Sequence, residues 1–542
     1  MTVNGSLNGN GANGAAVSPS PSSRSPLQTE PASTEAARLL PQVLDLVQQF
    51  IASGEQPTTY VAPWGSIPDF RKAISLSLPD TAPQDDATLL EAIKLVFDNS
   101  VNPWTGRFLD KLYAAPTPVG IAADLVLSAV NANAHVMSAS PVLSLAEERC
   151  VEGLCEVFGF TETKPDGLTM PGGSSANTLA VQTALANIFP AFRTQGLLGV
   201  MQQLLDKKRP PRPLLFTSSQ CHYSLDKAAI SAGLGLDSVV KVACDATGRM
   251  DPAALEKALT EAVETGTGTP FLINATSGTT VLGSFDPLPQ LAAIARKHHC
   301  WLHIDASWGG PIIFSHHPTY SSLMTGSNLA DSITINPHKL LNVPLQCSFL
   351  LVRDAATLSA NSLDAGYLFH SKDRRENAAM KTMGCGRRAD ALKFWLYWLR
   401  YGKAGFGTHV DAGLSLAFEL VDYIRNKKSI ELGPLAHPLF LQICFRPLPP
   451  SQRNNTQIDG QQVARRSAAT QFVYQELKAR RMFAVDFAPL PNEIGDFVRL
   501  VVHPRTKMED LKRLVDQVEE IGLMYWKQQE MFEFSRGEGV RV

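Results

Sequence analysis

Six short apolar runs, most of them separated by helical segments, constrain this chain more than any other feature. They are LLFTSS (214–219), VVKVACD (239–245), FLINATSG (271–278), WLHIDAS (301–307), SITINP (332–337) and SFLLVRD (348–354). Two intervening helices carry start signals. Asp251-Pro252 opens DPAALEKALTEAVE and Asp286-Pro287 opens DPLPQLAAIARKHH, each placing a capping acid ahead of a proline at the first helical position. Strands alternating with helices predict an α/β fold on a mostly parallel sheet covered on both faces. Such sheets bind ligands beyond the carboxyl ends of their strands, so functional side chains are expected just after the apolar runs.

The flanking sequence has a different texture. Residues 1–34 are rich in Gly, Asn, Ser and Pro and read as a disordered tail, without the apolar stretch of a secretory signal or the Arg-rich face of a transit peptide. A helix is expected over 36–52 (AARLLPQVLDLVQQFIA), at the start of an N-terminal helical segment, 35–115, which is Pro-rich from about 60 and also holds ATLLEAIKLVFDN. Residues 116–405 form the expected large domain, which includes the helical PVLSLAEERCVEGLCEVFGF. From 406 to 542 longer helices and a few strands predict a smaller α+β domain, whose last helix is expected to open on a capping box, Thr506-x-x-Glu509.

Lys plus Arg total 49 against 51 Asp plus Glu, a net charge of −2, which lacks the basic footprint of a nucleic-acid or anionic-membrane binder. No apolar run approaches the roughly 20 residues that span a bilayer. The eight cysteines are scattered without zinc or redox spacing, which fits reduced thiols in a cytoplasmic protein.

The chemistry-bearing residues fall where the sheet argument expects them. Lys339, in SITINPHKLLNVPLQCS, follows an apolar run. Burial there lowers an amine's pKa and frees it for imine formation, whereas a lysine without such a setting reads as a surface residue. Asn336 and His338 flank it, and His338 can donate to a phosphate. Asp305 ends WLHIDAS, where its carboxylate can pair with a cationic ring nitrogen; a metal or a ribose hydroxyl are the alternatives, with His303 two residues away on the same strand. PGGSSAN leads into a helix, so Gly173, Ser174 and Ser175 can cradle an anion with backbone N–H groups, although Gly-Ser turns before helices are common. His222, after LLFTSS, is placed to lie against a ring face or to serve structurally, and Thr276 is placed to reach a ring edge. A lysine, an acid, a phosphate cup and a ring-face group are what pyridoxal 5′-phosphate (PLP) requires of a protein. No metal ligand set is expected.

These motifs together resemble the PLP-dependent group II amino-acid decarboxylases, in the branch of the glutamate, aspartate and cysteine-sulfinate enzymes. The likeness runs from about residue 100 to the C-terminus through RFLDKL, NANAHVMSASPV, PGGSSAN, HYSLDKAA, NATSGTTVLGSFDP, HIDASWGG, NPHKLLNVPLQCS, CGRRADALKFW and FVRLVVHP. It implies an aspartate-aminotransferase-like (type I) fold and a homodimer with active sites built from both subunits, segment 35–115 packing on the partner. It also implies that Lys339 carries the cofactor, Asp305 pairs with the pyridinium and His222 stacks on the ring. Arg499 then falls at the substrate-carboxylate position, a role suited to a planar guanidinium fork.

The chain departs from its relatives in three places. Ser307 stands where the family usually has alanine and adds a hydroxyl near the cofactor. The segment resembling the substrate-side-chain pocket carries Lys111 where glutamine is usual, with Tyr113, Asn133 and His135. Lys111 and Asn133 are placed to orient a distal carboxylate, and the bulk of Tyr113 favours a shorter acid. Finally, the family's mobile loop supplies a tyrosine that protonates the carbanion, whereas HSKDRRENAAMKTMGCGR (370–387) contains none. The resulting expectation is decarboxylation of aspartate to β-alanine, with glutamate and cysteine sulfinate as rival substrates. Decarboxylation-coupled oxidative deamination or transamination and a non-catalytic partner role are the other classes.

Overall fold

The computed structural model describes residues 30–535 apart from 64–66, 75, 77, 79, 81–85, 372–375, 434–439, 450–458 and 492. Residues 1–29 of the expected tail lie outside the described residues, and its boundary moves: the first helix is Ala32–Gly54, so residues 32–34 are helical. The expected single segment 35–115 is divided. Among the described residues, those up to Ser53 and those between Ile67 and Ser100 form one compact unit, while those from 54 to 63 join those from Val101 onward in the other. Within the first unit Phe50 stacks on Phe97, with ring centroids 4.9 Å apart.

The second unit is built on a seven-stranded sheet: β1 (Asp166–Met170), β2 (Pro213–Ser218), β3 (Val239–Val242), β4 (Thr269–Thr276), β5 (Trp301–Ala306), β6 (Ser332–Ile335) and β7 (Ser348–Val352), ordered β1-β7-β6-β5-β4-β2-β3. Neighbours from β3 to β6 are parallel, and β7 is antiparallel to both β6 and β1. Every residue of β2, β4, β5, β6 and β7 is buried, which is why these strands read as unbroken apolar runs rather than alternating ones. Because β1 and β6 both oppose β7, they run the same way. The chain after Met170 therefore emerges on the same edge as the segments after Ser218, Thr276, Ala306 and Ile335.

A four-stranded antiparallel sheet follows, β8 (Ile430–Leu432), β9 (Gln442–Pro447), β10 (Asp486–Leu490) and β11 (Gly495–Val501), ordered β10-β11-β9-β8, with helices Gly460–Arg480 and Met508–Ser535 packed on it. The expected boundary at 405/406 falls inside helix Ala391–Arg425, three residues past Gly402, whose φ of +63° breaks the helix.

Two local expectations need correcting. Asp251 does cap helix Pro252–Glu264, accepting from the N–H groups of Ala253 and Ala254. Asp286 does not cap its helix, which begins at Leu288. Its buried carboxylate instead accepts from Met250 N and Thr276 N, both at 2.7 Å, and burial pushes it up to about 6. The last helix begins at Met508, and the buried Thr506 hydroxyl has no hydrogen-bond partner among the described residues, so no capping box forms there. The capping box is at Asp459 and Gln462, opening Gly460–Arg480. All eight cysteines are free and five are buried. No helix among the described residues is long and apolar enough to cross a membrane.

Candidate active site

The edge on which these strand ends converge holds a cavity of about 260 Å³. Lys339, Asp305, His222, Thr276, Ser307, Asn336, His338, Gly173 and Ser174 all line it. The sheet register explains part of this meeting: Asp305 of β5 pairs directly with Thr276 of β4 and with Thr334 of β6. Lys339 lies four residues past β6, in the turn in which its N–H bonds to Asn336 O at 3.0 Å.

Burial holds the Lys339 amine below its ordinary range, against the opposing pull of Asp305. Burial alone would raise the Asp305 carboxyl. The Lys339 charge, together with Ser307, His303 and Asn177, outweighs burial and keeps it below the usual carboxylate range. Its Oδ1 accepts from Ser307 N at 3.1 Å and its Oδ2 from Asn177 Nδ2 at 2.9 Å.

Asn177 is the hub of a buried chain of hydrogen bonds. A carboxylate only accepts, so the amide must present N–H to Asp305, and its Oδ1 then accepts from His303 Nε2 at 3.1 Å. With its proton on Nε2, His303 accepts through Nδ1 from Ser332 Oγ at 2.8 Å, and Ser332 Oγ accepts from Trp301 Nε1 at 2.9 Å. Burial lowers His303 to about 4, so it is neutral near pH 7. It is a fixed link in this chain.

His222 leaves the edge after β2. Its Nδ1 accepts from Ser224 N at 3.2 Å, and burial holds its pKa below the ordinary value. The Nδ1 of His338 lies 2.7 Å from Cys347 O and 3.1 Å from Cys347 N, and burial lowers its pKa to about 4.

Of the three residues expected to cradle an anion, two line the cavity. Helix Gly173–Ile188 starts at the cavity after Gly172, whose φ is +96°. Gly173 and Ser174 line the cavity, but Ser175 does not; its hydroxyl folds back onto Pro171 O at 3.2 Å. A Cβ at 173 would sit 2.6 Å from Asn336 Nδ2 and 2.8 Å from Ser307 Oγ, so a larger residue there would force one of these side chains to shift.

None of the five side chains expected to hold substrate lines the cavity. Lys111 is ion-paired to Asp110 at 2.7 Å and Asp486 at 3.7 Å, and Tyr113 packs on Phe108; only Leu112 between them faces the cavity. Asn133 Oδ1 accepts from Arg387 N at 2.8 Å, and Ala379 N donates to His135 O, so both residues are tied to the 377–388 segment. Arg499 is buried one layer behind the wall, donating to Asp110 O at 2.5 Å and to Thr280 O at 3.2 Å, and Thr280 lines the cavity. Sequence reasoning missed Asn177, Tyr223, Thr280 and Trp308. Asn177 had a legible signal, standing one helical turn after Gly173.

The residues present fit PLP. Asn336 Oδ1, Thr276 Oγ1 and Trp308 Nε1 are buried at the cavity wall and have no hydrogen-bond partner among the described residues, so they can serve a polar ligand. A helix N-terminus offers N–H groups to an anion, and an anionic Asp305 faces an amine of lowered pKa.

Comparison with known proteins leads to the same chemistry. The pyridoxal-dependent decarboxylase conserved domain matches residues 69–447. An L-aspartate decarboxylase of Metarhizium robertsii is 38% identical over 455 residues, covering 83% of this chain and 86% of its own. An acidic amino acid decarboxylase of Xenopus tropicalis is 33% identical over 483 residues, 88% and 91% of the two chains. The crystal structure of mouse CSAD in apo form superposes with a TM-score of 0.82 at 31% identity, covering 90% of this chain and 99% of that one. The large mostly parallel sheet with its cavity at the strand ends is thus the type I aminotransferase-like fold, its cofactor is pyridoxal phosphate, and the chain belongs to the pyridoxal-dependent decarboxylases.

Proposed function

We propose that this enzyme removes the α-carboxylate of L-aspartate to give β-alanine. The 38% identity to an L-aspartate decarboxylase carries the substrate assignment. Bound PLP supplies the electron sink for the pair left at Cα. The roles of the protein follow from its own groups. Lys339, its amine held below its ordinary range by burial and without a side-chain hydrogen bond among the described residues, lines the cavity and presents Nζ for covalent attachment. Asp305, held anionic and fixed by Asn177 and Ser307, keeps a proton on the ring nitrogen. The N–H groups at Gly173 and Ser174, with His338 and Asn336, hold the phosphate, and His222 covers the ring face.

Arg499 binds a substrate carboxylate after exchanging its bond to Thr280 O. Membership of the decarboxylase family supports a homodimer with active sites built from both subunits as the working unit. Tyr113 does not line the cavity, so pocket bulk no longer supports the choice of a short acid.

The test is to supply PLP-loaded protein with aspartate, glutamate and cysteine sulfinate and to identify every product. β-Alanine with the highest kcat/KM for aspartate is expected. A higher value for glutamate or cysteine sulfinate would reassign the substrate, and carbonyl products with ammonia would reassign the reaction.

A further inference from the structure

Loss of CO₂ leaves an electron pair at Cα that needs a proton from a positioned acid. The segment resembling the family's acid-bearing loop, 370–387, holds no tyrosine. Among the described residues, one of the ten tyrosines lines the cavity, and it is Tyr223. It directly follows His222, and the two ring centroids lie 4.3 Å apart. Tyr223 is 56% exposed, so its phenol can exchange protons with water. The Lys227 ammonium sits over the same ring, 4.7 Å from its centroid.

The other acids at the cavity are less suited. With Nδ1 occupied by Ser224 N–H and its pKa lowered by burial, His222 is neutral and carries its proton on Nε2, a weak acid. Burial likewise keeps His338 neutral, and Asp305 is an anion. Lys339 remains the one rival.

We propose that Tyr223 supplies the proton to Cα, in place of the absent loop tyrosine; the inference rests on the decarboxylase reading above. The bond from Cα to the carboxylate breaks with its electron pair left on the Cα side, and CO₂ departs. The O–H bond of Tyr223 then breaks as a C–H bond forms at Cα. The phenolate, next to the Lys227 ammonium, regains its proton from water. No oxidant is consumed, so each substrate yields one amine and one CO₂.

Two proteins test this: Tyr223→Phe, and the full chain with 3-fluorotyrosine at position 223, which keeps a hydroxyl of greater acidity. Tyr223→Phe should lower kcat about 100-fold while KM for aspartate stays within about threefold. In D₂O it should lose the stereospecific placement of deuterium at the former Cα of β-alanine, and carbonyl product should rise under air. The alkaline limb of the kcat–pH profile should move to lower pH in the fluorinated protein. Independently of turnover, its ¹⁹F resonance should shift as PLP is titrated into the apoprotein.

Wild-type kcat and stereospecificity in Tyr223→Phe would overturn the proposal in favour of Lys339. If Tyr223→Phe does not fold, an unmoved alkaline limb or a ¹⁹F resonance indifferent to PLP would overturn it equally. Absence of any decarboxylation by the unsubstituted enzyme would instead remove the decarboxylase reading itself.

Discussion

Asn177 donates a 2.9 Å hydrogen bond to Asp305, joining the second turn of helix Gly173–Ile188 to the carboxyl end of β5. One residue thus links the helix end proposed to hold a phosphate with the carboxylate proposed to pair with a ring nitrogen. A second Asn177 bond, to Ser224 Oγ at 2.9 Å, adds the helix that follows His222 and Tyr223. The amide is buried, and every polar atom in its chain back to Trp301 has a partner, so its orientation is over-determined.

Replacing Asn177 with Leu should leave cofactor content near normal and lower kcat by about 10-fold or more, the scale of losing a hydrogen bond to a charged group. Asp305 loses a donor that favours its anion, so its pKa rises, and the acid limb of the kcat–pH profile should move to higher pH. An unchanged limb in a folded variant would contradict the role given to Asn177.

Gly173→Ala probes the phosphate cup without altering charge. The added methyl meets Asn336 and Ser307 at under 3 Å, and relief of about 1–3 kcal/mol of overpacking requires one of them to shift. PLP affinity, measured by titrating the apoprotein, should fall about 10-fold or more while the fold is retained. Unaltered affinity would show that the cofactor does not approach this helix end.

The segment after the loop is anchored by a buried ion pair. Glu147 accepts from Arg387 at 2.5 and 3.0 Å and from Thr169 N and Oγ1, both at 2.6 Å. Burial alone would raise the Glu147 carboxyl, but Arg387 and Thr169 outweigh it and lower its pKa. A carboxylate lowered on folding adds stability above its unfolded pKa of about 4.3, and that stability is lost as pH falls through the lower folded value. Glu147→Gln strands the Arg387 charge and should cost about 3–5 kcal/mol near pH 7 in denaturant unfolding. The difference from the unsubstituted protein should shrink below about pH 4; a difference independent of pH would contradict the ion-pair account.

The buried strands were legible because a strand covered on both faces reads as a continuous apolar run. β1 was not: DGLTM offers only Leu168 and Met170 as large apolar residues, and neighbours such as β7 and helix Pro141–Phe158 bury it. Asp251-Pro252 and Asp286-Pro287 are identical local signals. Only the tertiary placement of Met250 N and Thr276 N turns the second acid inward. Lys339, Asp305 and His222 could be read because each follows a strand on one edge of the sheet. Asn177 was legible only in its place one helical turn after Gly173, since its bond to Asp305 joins residues 128 positions apart. Position along the chain could not show that Arg499 is held behind Thr280 or that Lys111 is neutralised by Asp110.

Borohydride reduction of the PLP-loaded enzyme, followed by peptide mapping by mass spectrometry, tests the assignment of this cavity most directly. The account predicts the cofactor mass on the peptide containing Lys339, with both yellow absorbance and turnover lost in Lys339→Ala. Cofactor fixed to a different lysine, or absorbance and turnover retained in Lys339→Ala, would contradict it.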